Sequence, residues 1–194
     1  ITRLRREAAE MISRGVCDTL SYLDMPRVRF LVDIQKVYAG GEEQFGTRGS
    51  DDVTFMIATN PGEPPMPLGK IASGGELARI MLALKNVLAE NDDVSTLVFD
   101  EVDTGVSGRA AQRVAEKLAQ VSRRKQVLCV THLPQLAALA NTHLLIAKEE
   151  RNGRTYTTVT PLDLEGRKRE LARIIGGASI TETTLKSAEE MLNT

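Results

Sequence analysis

Two apolar runs separated by one helical segment constrain the fold of this 194-residue chain more than any other feature. VSTLVFD (94 to 100) and QVLCVT (126 to 131) are nearly continuous in apolar residues, as expected for strands covered on both faces of a parallel sheet. Between them, SGRAAQRVAEKLAQVS has the helical period, with one apolar side formed by Ala111, Val114, Ala115, Leu118 and Val121. The pattern predicts a right-handed βαβ unit, and with it an α/β fold built on a mainly parallel sheet flanked by helices.

The segments around this unit predict further elements. Apolar residues alternate from Arg27 to Val37 and again from Val53 to Ile57, and the Gly-rich segment AGGEEQFGTRGSDD joins the two runs. This predicts an antiparallel strand pair, after which the prolines of NPGEPPMPLGK forbid regular structure. A helix with one apolar stripe then starts at Ser73. Farther along, the pattern predicts two strands and two helices, at residues 143 to 147, 154 to 159, 165 to 175 and 181 to 192.

The first residues predict a helix that ends at Gly15. Apolar residues at three-four spacing, with charged residues between them, are typical of the a and d positions of a coiled coil: Ile1, Leu4, Ala8 and Met11. Two heptads are equally consistent with an ordinary amphipathic helix. The chain also begins without an initiating Met, as expected of a fragment or a processed product.

The composition narrows the classes of function. Lys plus Arg (25) nearly cancels Asp plus Glu (26), which excludes a global field for general binding to nucleic acid or membranes. The basic runs at residues 3 to 6, 123 to 125 and 167 to 169 are typical of solvated surface. Cys17 and Cys129 fit no metal-ligand spacing, which predicts a reducing, cytoplasmic setting. No apolar stretch approaches the roughly 20 residues that span a bilayer, so no membrane partner is expected.

Two glycines stand directly before the helix that follows Ser73. In SGGE (73 to 76), Ser73 can cap the helix, and Glu76 can complete a capping box. A helix start with free N–H groups, a hydroxyl and no side chains in the way is also a seat for an anion. The two interpretations are compatible.

Acidic and imidazole side chains follow the two apolar runs. Asp100 and Glu101 end the first run, with Asp103 close behind, and Thr131 and His132 end the second. Open α/β sheets bind ligands at this edge, and because successive strand residues point to opposite sides, one carboxylate can face a metal ion and the other a water. Alternatively, one carboxylate caps the next helix and the other is solvated, while the histidine is either structural or a sensor beside a phosphate.

No phosphate-binding loop accompanies these residues. The nearest candidate, GEPPMPLGKI, has the wrong glycine spacing, carries Ile71 where magnesium needs Ser or Thr, and loses backbone N–H groups to its prolines.

Taken in order, four motifs resemble parts of the ATP-binding-cassette (ABC) ATPases. SGGEL (73 to 77), TLVFDE (96 to 101), DTGVSG (103 to 108) and VTH (130 to 132) resemble the signature motif, Walker B motif, D-loop region and switch histidine. Within this superfamily, the chain is similar to the C-terminal half of the RecN family, bacterial SMC-like proteins of DNA double-strand break repair. TNPGEPPMPLGKIASGGELAR, FDEVDTGVSGRAA and QVLCVTHLPQLAALA carry that likeness.

This resemblance implies the C-terminal lobe of a split ABC/SMC-type ATPase head. Residues 1 to 16 would be the end of a coiled-coil arm, and residues 17 to 194 would be the lobe. The Walker A loop would lie in an N-terminal lobe of the same protein. ATP hydrolysis with Mg²⁺ is then expected only after the two lobes combine, and the isolated chain is expected to be inactive. The implied partners are that N-terminal lobe, a second head in an ATP-dependent homodimer, and DNA, in the bacterial cytoplasm at the nucleoid.

The resemblance also implies roles for single residues. Asp100 would be a magnesium-shell ligand acting through water, Glu101 the general base, and His132 the sensor of the γ-phosphate. Nucleotide binding is implied for the signature residues and for the acid of the D-loop region: Ser73, Gly74, Gly75, Glu76 and Asp103. The signature residues would bind ATP held by the other head. The D-loop region departs from the SMC pattern, which has Asp where this chain has Ser107.

Two other interpretations stay open. The chain could be a head lobe of a different protein of the SMC type. It could also be a non-catalytic interaction module whose acidic residues and histidine are structural, since the absence of a Walker A loop fits a non-enzyme equally well.

Overall fold

The computed structural model describes residues 1–89, 92–151, 153–177 and 179–193. The helices in these ranges are α1 (Thr2–Tyr22), α2 (Gly74–Leu88), α3 (Gly108–Ser122), α4 (Pro134–Ala138), α5 (Leu164–Gly176) and α6 (Glu182–Leu192), with a 3₁₀ turn at Leu68–Lys70. The strands are β1 (Arg29–Lys36), β2 (Tyr38–Ala39), β3 (Glu42–Glu43), β4 (Asp51–Ala58), β5 (Met66–Pro67), β6 (Thr96–Phe99), β7 (Gln126–Cys129), β8 (Leu144–Arg151) and β9 (Arg154–Pro161).

The predicted βαβ unit is present. β6 and β7 pair in parallel, in a register that runs from Thr96 opposite Gln126 to Phe99 opposite Cys129. α3 connects them, and all of its predicted inward residues are buried, namely Ala111, Val114, Ala115, Leu118 and Val121. They pack with Leu97 and Phe99 in one core. The α/β class predicted from the sequence is therefore confirmed.

The sheet departs from the prediction in two respects. Val98, Leu128 and Val130 are exposed to 68%, 48% and 52%, so the face of the β6–β7 pair opposite α3 is uncovered in the described part of the chain. The expectation of cover on both faces is therefore not met within the described part of this chain. β6–β7 is also the one parallel pairing among the described strands, so the sheet is not mainly parallel here. β8 and β9 follow each other in sequence, and strands so connected pair as an antiparallel hairpin.

The predicted antiparallel pair is β1 and β4. Its alternating apolar residues face one another across the strands, with Phe30 opposite Ile57 and Val32 opposite Phe55. This face packs against α1 and α2 in a second core. The Pro-rich segment contains a short strand after all, because β5 pairs with the end of β4. A proline is tolerated on such an edge strand, where one N–H can be spared.

α1 is one continuous helix through Gly15, which the sequence predicted as its end. A Cβ at Gly15 would lie 3.2 Å from Cγ2 of Val87, so the glycine permits α1 and α2 to approach closely. Beyond this point α1 is buried in the second core through Val16 and Leu20. Its first turns instead expose three of the four predicted a and d residues: Ile1, Leu4 and Met11. The division between residues 16 and 17 stays a prediction.

A buried carboxylate joins the first turn of α1 to β4. Asp51 accepts hydrogen bonds from Thr2 Oγ1 (2.9 Å) and Arg5 Nη1 (2.8 Å), and Lys36 Nζ lies 3.0 Å from it. Burial acts to raise the pKa of Asp51, but the hydrogen bonds from Arg5, Lys36 and Thr2 outweigh it and lower the pKa from 3.8 to about 2. Because the folded-state pKa lies below that of the unfolded chain, the charged form stabilises the fold above a pH of about 4.

Asp51→Asn is therefore expected to be less stable than the wild type at neutral pH, with a difference that disappears as the pH falls from about 4 to about 2. Urea unfolding at a series of pH values measures this. Asp33→Asn is the matched control, because Asp33 lies on the neighbouring strand and, in the described chain, its side chain accepts a hydrogen bond only from Gln35. A stability difference that is the same at pH 2 and pH 7 would contradict the assigned role of Asp51.

α2 is buried between the two cores. Leu82 belongs to the core around β6 and β7, whereas Ile80, Ala83 and Leu84 belong to the core around α1 and β1. Packing on both sides fixes the helix axis, so its first turn has a defined position relative to the carboxyl ends of β6 and β7.

Members of all three basic runs make contacts within the chain, the first through the bond from Arg5 to Asp51. Lys125 Nζ donates to the carbonyl oxygen of Val94 (2.7 Å), and Arg167 Nη2 donates to those of Ala138 (3.0 Å) and Ala140 (2.7 Å) at the end of α4. Lys168 pairs with Glu189 of α6. These side chains support the fold. Within the described residues, no helix is both long and apolar enough to cross a membrane.

Candidate functional site

The first turn of α2 has one of the two hydrogen bonds of the capping box that the sequence predicted. Ser73 is the N-cap, and its Oγ accepts a hydrogen bond from the backbone N–H of Glu76 (3.4 Å). The return bond of a full capping box, from the Glu76 side chain to the Ser73 N–H, is not among the contacts of the described residues. Ser73 and Gly74 are exposed while Gly75 is buried, so the helix presents its hydroxyl and its first N–H groups to solvent.

Gly75 is the point at which α2 touches the loop that follows β6. A Cβ at this position would lie 2.9 Å from the carbonyl oxygen of Thr104 and 3.0 Å from its Cβ. Arg79, one turn along the helix, donates from Nη1 to the same carbonyl oxygen (2.7 Å). The helix start and the loop are therefore joined by a close backbone approach and a hydrogen bond.

Gly74 lies against the acidic side chain that ends the Walker B-like run. A Cβ at Gly74 would overlap Oε2 of Glu101. Glu101 has φ of 59°, one of two non-glycine residues with positive φ in the described chain. This left-handed conformation costs roughly 1–3 kcal/mol and is enriched at functional sites. Asp100 precedes it and accepts a hydrogen bond from the Glu101 N–H (2.9 Å), and both residues are exposed.

Asp103 is the buried member of the acidic group. Its side chain is only 3% exposed, and Oδ2 accepts hydrogen bonds from Thr131 Oγ1 (2.5 Å) and from the backbone N–H of His132 (3.1 Å). The same oxygen lies 3.3 Å from Nδ1 of His132, whose side chain is 76% exposed. Asp103 therefore joins the loop after β6 to the end of β7.

Cys129 lies next to two of these carboxylates. Burial, followed by the negative charges of Asp103 and Asp100, raises the pKa of the Cys129 thiol to about 12. The thiol therefore stays protonated at neutral pH, which makes it a poor nucleophile.

The structure brings the predicted motifs together at one edge of the parallel pair. Gly74 meets Glu101, Gly75 meets Thr104, and Asp103 holds His132. Among the described residues no hydrogen bond or ion pair joins Asp100 or Glu101 directly to His132, and Asp103 provides the link between the two strand ends.

The described residues contain no group of three or more His, Cys, Asp or Glu side chains arranged to hold a metal ion. Asp100 is nevertheless an exposed carboxylate at a strand end. Magnesium is commonly bound by one or two carboxylates together with waters and substrate phosphates. The donor set of this chain thus fits a magnesium site completed by a nucleotide and by residues from elsewhere.

Arg79 is the member of the site that the sequence analysis missed. It is 8% exposed, and its partners are the carbonyl oxygen of Thr104 and the sulfur of Met25. Burial lowers the pKa of this guanidinium. The available signal was an arginine directly before Ile80 in the apolar stripe of α2, since a charged residue at the border of a buried stripe requires a specific partner.

The chain is similar over nearly its whole length to bacterial proteins named DNA repair protein RecN. It is 46% identical to that of Halalkalibacterium halodurans over 193 residues, which cover 100% of this chain and 34% of the relative. Identity to that of Bacillus subtilis is 52% over 202 residues, covering 99% and 35%. Identity to that of Vibrio cholerae is 41% over 184 residues, covering 95% and 32%. The chain therefore spans about a third of the relatives' length. No protein-family profile matches it.

Solved structures of SMC ATPase heads share the fold. The Smc head domain with a coiled coil and joint from Pyrococcus yayanosii matches 97% of this chain and 30% of that chain, with a TM-score of 0.58 and 19% identity. A structure from work on ATP-driven dimerization and DNA-stimulated activation of SMC ATPases matches 90% of this chain and 98% of that chain, with a TM-score of 0.53 and 20% identity. At these identities the likeness concerns the fold alone, and it confirms the fold of an SMC-type head lobe that the sequence predicted.

Proposed function

The chain belongs to the RecN family, and from that premise we propose that it is the C-terminal lobe of an ATPase head that hydrolyses ATP in DNA double-strand break repair. One observation carries the proposal. The helix start, the two exposed carboxylates and the histidine converge at the carboxyl ends of β6 and β7 through the contacts Gly74–Glu101 and Asp103–His132. Ligands bind at this edge in open α/β sheets.

The lobe is incomplete as an ATPase, which supports a second lobe as its partner. The sequence contains no phosphate-binding loop, and the apolar face formed by Val98, Leu128 and Val130 is exposed. An exposed apolar sheet face of this kind is typical of a surface that another part of the protein covers. We assign this cover to the N-terminal lobe that carries the Walker A loop. Turnover therefore requires both lobes.

Within the completed site, each acidic side chain has its own task. Glu101 is the general base that orients the attacking water, and its carboxylate is exposed beside the start of α2. Asp100 is the ligand that reaches the magnesium ion through water. An ion held at Asp100 would supply positive charge against the phosphates. His132 contacts the γ-phosphate from the neighbouring strand end, where its imidazole is exposed.

The signature turn serves the nucleotide of a second head. Ser73 and Gly74 are exposed, and the hydroxyl and N–H groups at the start of α2 favour an anion. Glu76 contributes its N–H to the Ser73 cap and lies in the same turn. Two heads would then associate through ATP and separate after hydrolysis. The similar SMC structure that comes from work on ATP-driven dimerization supports this arrangement.

The exposed stripe on the first turns of α1 supports a coiled-coil arm. Ile1, Leu4 and Met11 have no cover among the described residues, as expected when a second helix packs on them in the longer protein. Action on DNA is proposed from the relatives, which are named DNA repair proteins.

The test of the proposed function is ATP turnover by this chain alone, by the Walker A lobe alone and by their mixture. We expect turnover only in the mixture, with DNA stimulation as the next measurement. If the two lobes associate but never hydrolyse ATP, the chain is an interaction module, for which the uncovered apolar face is the favourable observation.

Ser73→Arg is expected to abolish nucleotide-dependent association of two completed heads, because a long side chain fills the exposed phosphate seat at the start of α2. Size-exclusion chromatography with ATP, in a background that does not hydrolyse it, measures the dimer fraction. Thr181→Arg is the matched control, because Thr181 is also an N-cap hydroxyl, but on α6, which contributes no residue to the proposed site. Equal dimer fractions for the wild type and Ser73→Arg would rule out the trans-acting role.

A further inference from the structure

We infer that Asp103 is a positioning residue that holds His132, through Nδ1 of the imidazole, in the orientation used by the ATPase site, rather than a ligand of the nucleotide itself. The inference rests on the proposed function. Asp103 is 3% exposed, and its Oδ2 already receives the Thr131 hydroxyl and the His132 N–H. A side chain that is only 3% exposed offers little surface to a nucleotide, which separates it from the exposed Asp100 and Glu101.

The contact favours one tautomer of His132. An ionised carboxylate only accepts hydrogen bonds, so with Nδ1 3.3 Å from Oδ2, Asp103 stabilises the tautomer that carries its proton on Nδ1. Nε2 is then the ring nitrogen that faces away from Asp103 on an imidazole exposed to 76%. Histidines whose other nitrogen binds a ligand are commonly oriented by such a carboxylate. Nε2 is therefore the atom that reaches the nucleotide.

Hydrogen bonds near His132 and near Asp103 restrict the orientation of this pair. The hydroxyl of Thr131 donates to Asp103 and accepts from the N–H of Leu133 (3.0 Å), so the segment around His132 is held on either side of the histidine. On the other side, the Val106 N–H donates to the Asp103 carbonyl oxygen (3.3 Å) within a turn of the loop after β6. The carboxylate thus has little freedom to follow a displaced imidazole.

The same loop carries Glu101, so Asp103 connects the general base and the sensor. The N–H of Thr104 donates to the carbonyl oxygen of Glu101 (3.0 Å), which closes a turn around Asp103. Asp103 therefore lies between the turn that holds the base and the histidine at the end of β7. Removal of the Asp103 charge should impair the action of His132 while leaving Glu101 chemically intact.

The first experiment reads the tautomer in this chain by long-range ¹H–¹⁵N NMR, well above pH 6.5 so that free imidazole is neutral. The chain has two histidines, which makes assignment simple, and His143 serves as the internal reference. We expect the Nδ1–H form for His132 in the wild type and loss of this preference in Asp103→Asn. Asp92→Asn, which removes a carboxylate paired with Lys85, should change neither histidine. An Nε2–H form in the wild type would overturn the inference, and this result needs no variant that could fail to fold.

The second experiment measures turnover in the completed head. Asp103→Asn should lower turnover by about 10- to 100-fold, the range known for carboxylate partners of metal-binding histidines. In a His132→Ala background the same substitution should have little further effect, because the residue acts through the histidine. An equal loss in both backgrounds would overturn the positioning role. If no turnover occurs with any chain, the proposed function fails, whereas the tautomer measurement still decides the contact between Asp103 and His132.

Discussion

Glu101→Gln is expected to lower ATP turnover of the completed head by at least about a hundredfold, while nucleotide-dependent association of the heads persists. General bases typically contribute 10²–10⁴-fold, and the amide removes the base but keeps the size of the side chain. The structure locates this carboxylate on the exposed side of the turn after β6, with φ of 59° and with Oε2 against Gly74. The Glu101 carboxylate makes no hydrogen bond or ion pair within the described residues, so its replacement should leave the fold intact.

Single-turnover kinetics and analytical ultracentrifugation with ATP measure the two halves of this prediction. Glu63→Gln is the matched control, because it makes the same chemical change at an exposed carboxylate that contacts only Asn60 through its side-chain oxygens in the described chain. Turnover of Glu101→Gln close to that of the wild type would remove Glu101 from the chemistry. Loss of association together with turnover would instead assign it to nucleotide binding.

The elements that the sequence predicted correctly are those that local periodicity determines. The inward residues of α3, the facing residues of β1 and β4, and the start of α2 at Ser73 each follow from repeats within one segment. The location of the acidic residues and of His132 at one sheet edge also followed, because parallel strands end at the same edge.

The features that the sequence did not predict depend on contacts between segments. The burial of Asp103 requires the end of β7 to lie beside the loop after β6, and nothing in DTGVSG distinguishes this carboxylate from its exposed neighbours. The apolar runs of β6 and β7 predicted cover on both faces of the sheet. An apolar run shows only that the strand faces are apolar, and it does not show which part of a protein covers them. Gly15 predicted a helix end, whereas it permits contact with Val87.

The two glycines of the signature turn are expected to respond differently to alanine. In Gly75→Ala the new Cβ lies 2.9 Å from the Thr104 carbonyl oxygen and 3.0 Å from its Cβ, in a helix packed on both sides. The backbone of Thr104 cannot move away without a substantial cost. Overpacking of this kind typically destabilises a protein by about 1–3 kcal/mol. In Gly74→Ala the new Cβ overlaps only the end of the Glu101 side chain, which can rotate away.

Gly74→Ala should therefore keep or slightly raise the stability of the chain, since alanine is favoured over glycine in a helix by up to about 1 kcal/mol. Its turnover in the completed head should nevertheless fall by about tenfold or more, because the carboxylate that it displaces is the proposed general base. Urea unfolding of this chain and turnover of the completed head measure the two effects separately. Destabilisation by Gly74→Ala, or full turnover despite a stable fold, would contradict the close approach of Gly74 to Glu101.

These two variants test separately why a glycine is required at position 74 and at position 75. If stability falls only for Gly75→Ala, the second glycine is required by the approach of α2 to Thr104, which is a property of the fold. If turnover falls for Gly74→Ala without loss of stability, the first glycine is required by the position of Glu101, which is a property of the site. Gly74 would then belong to the anion-binding helix start and also lie against the base after β6. A larger residue at position 74 would therefore affect both features.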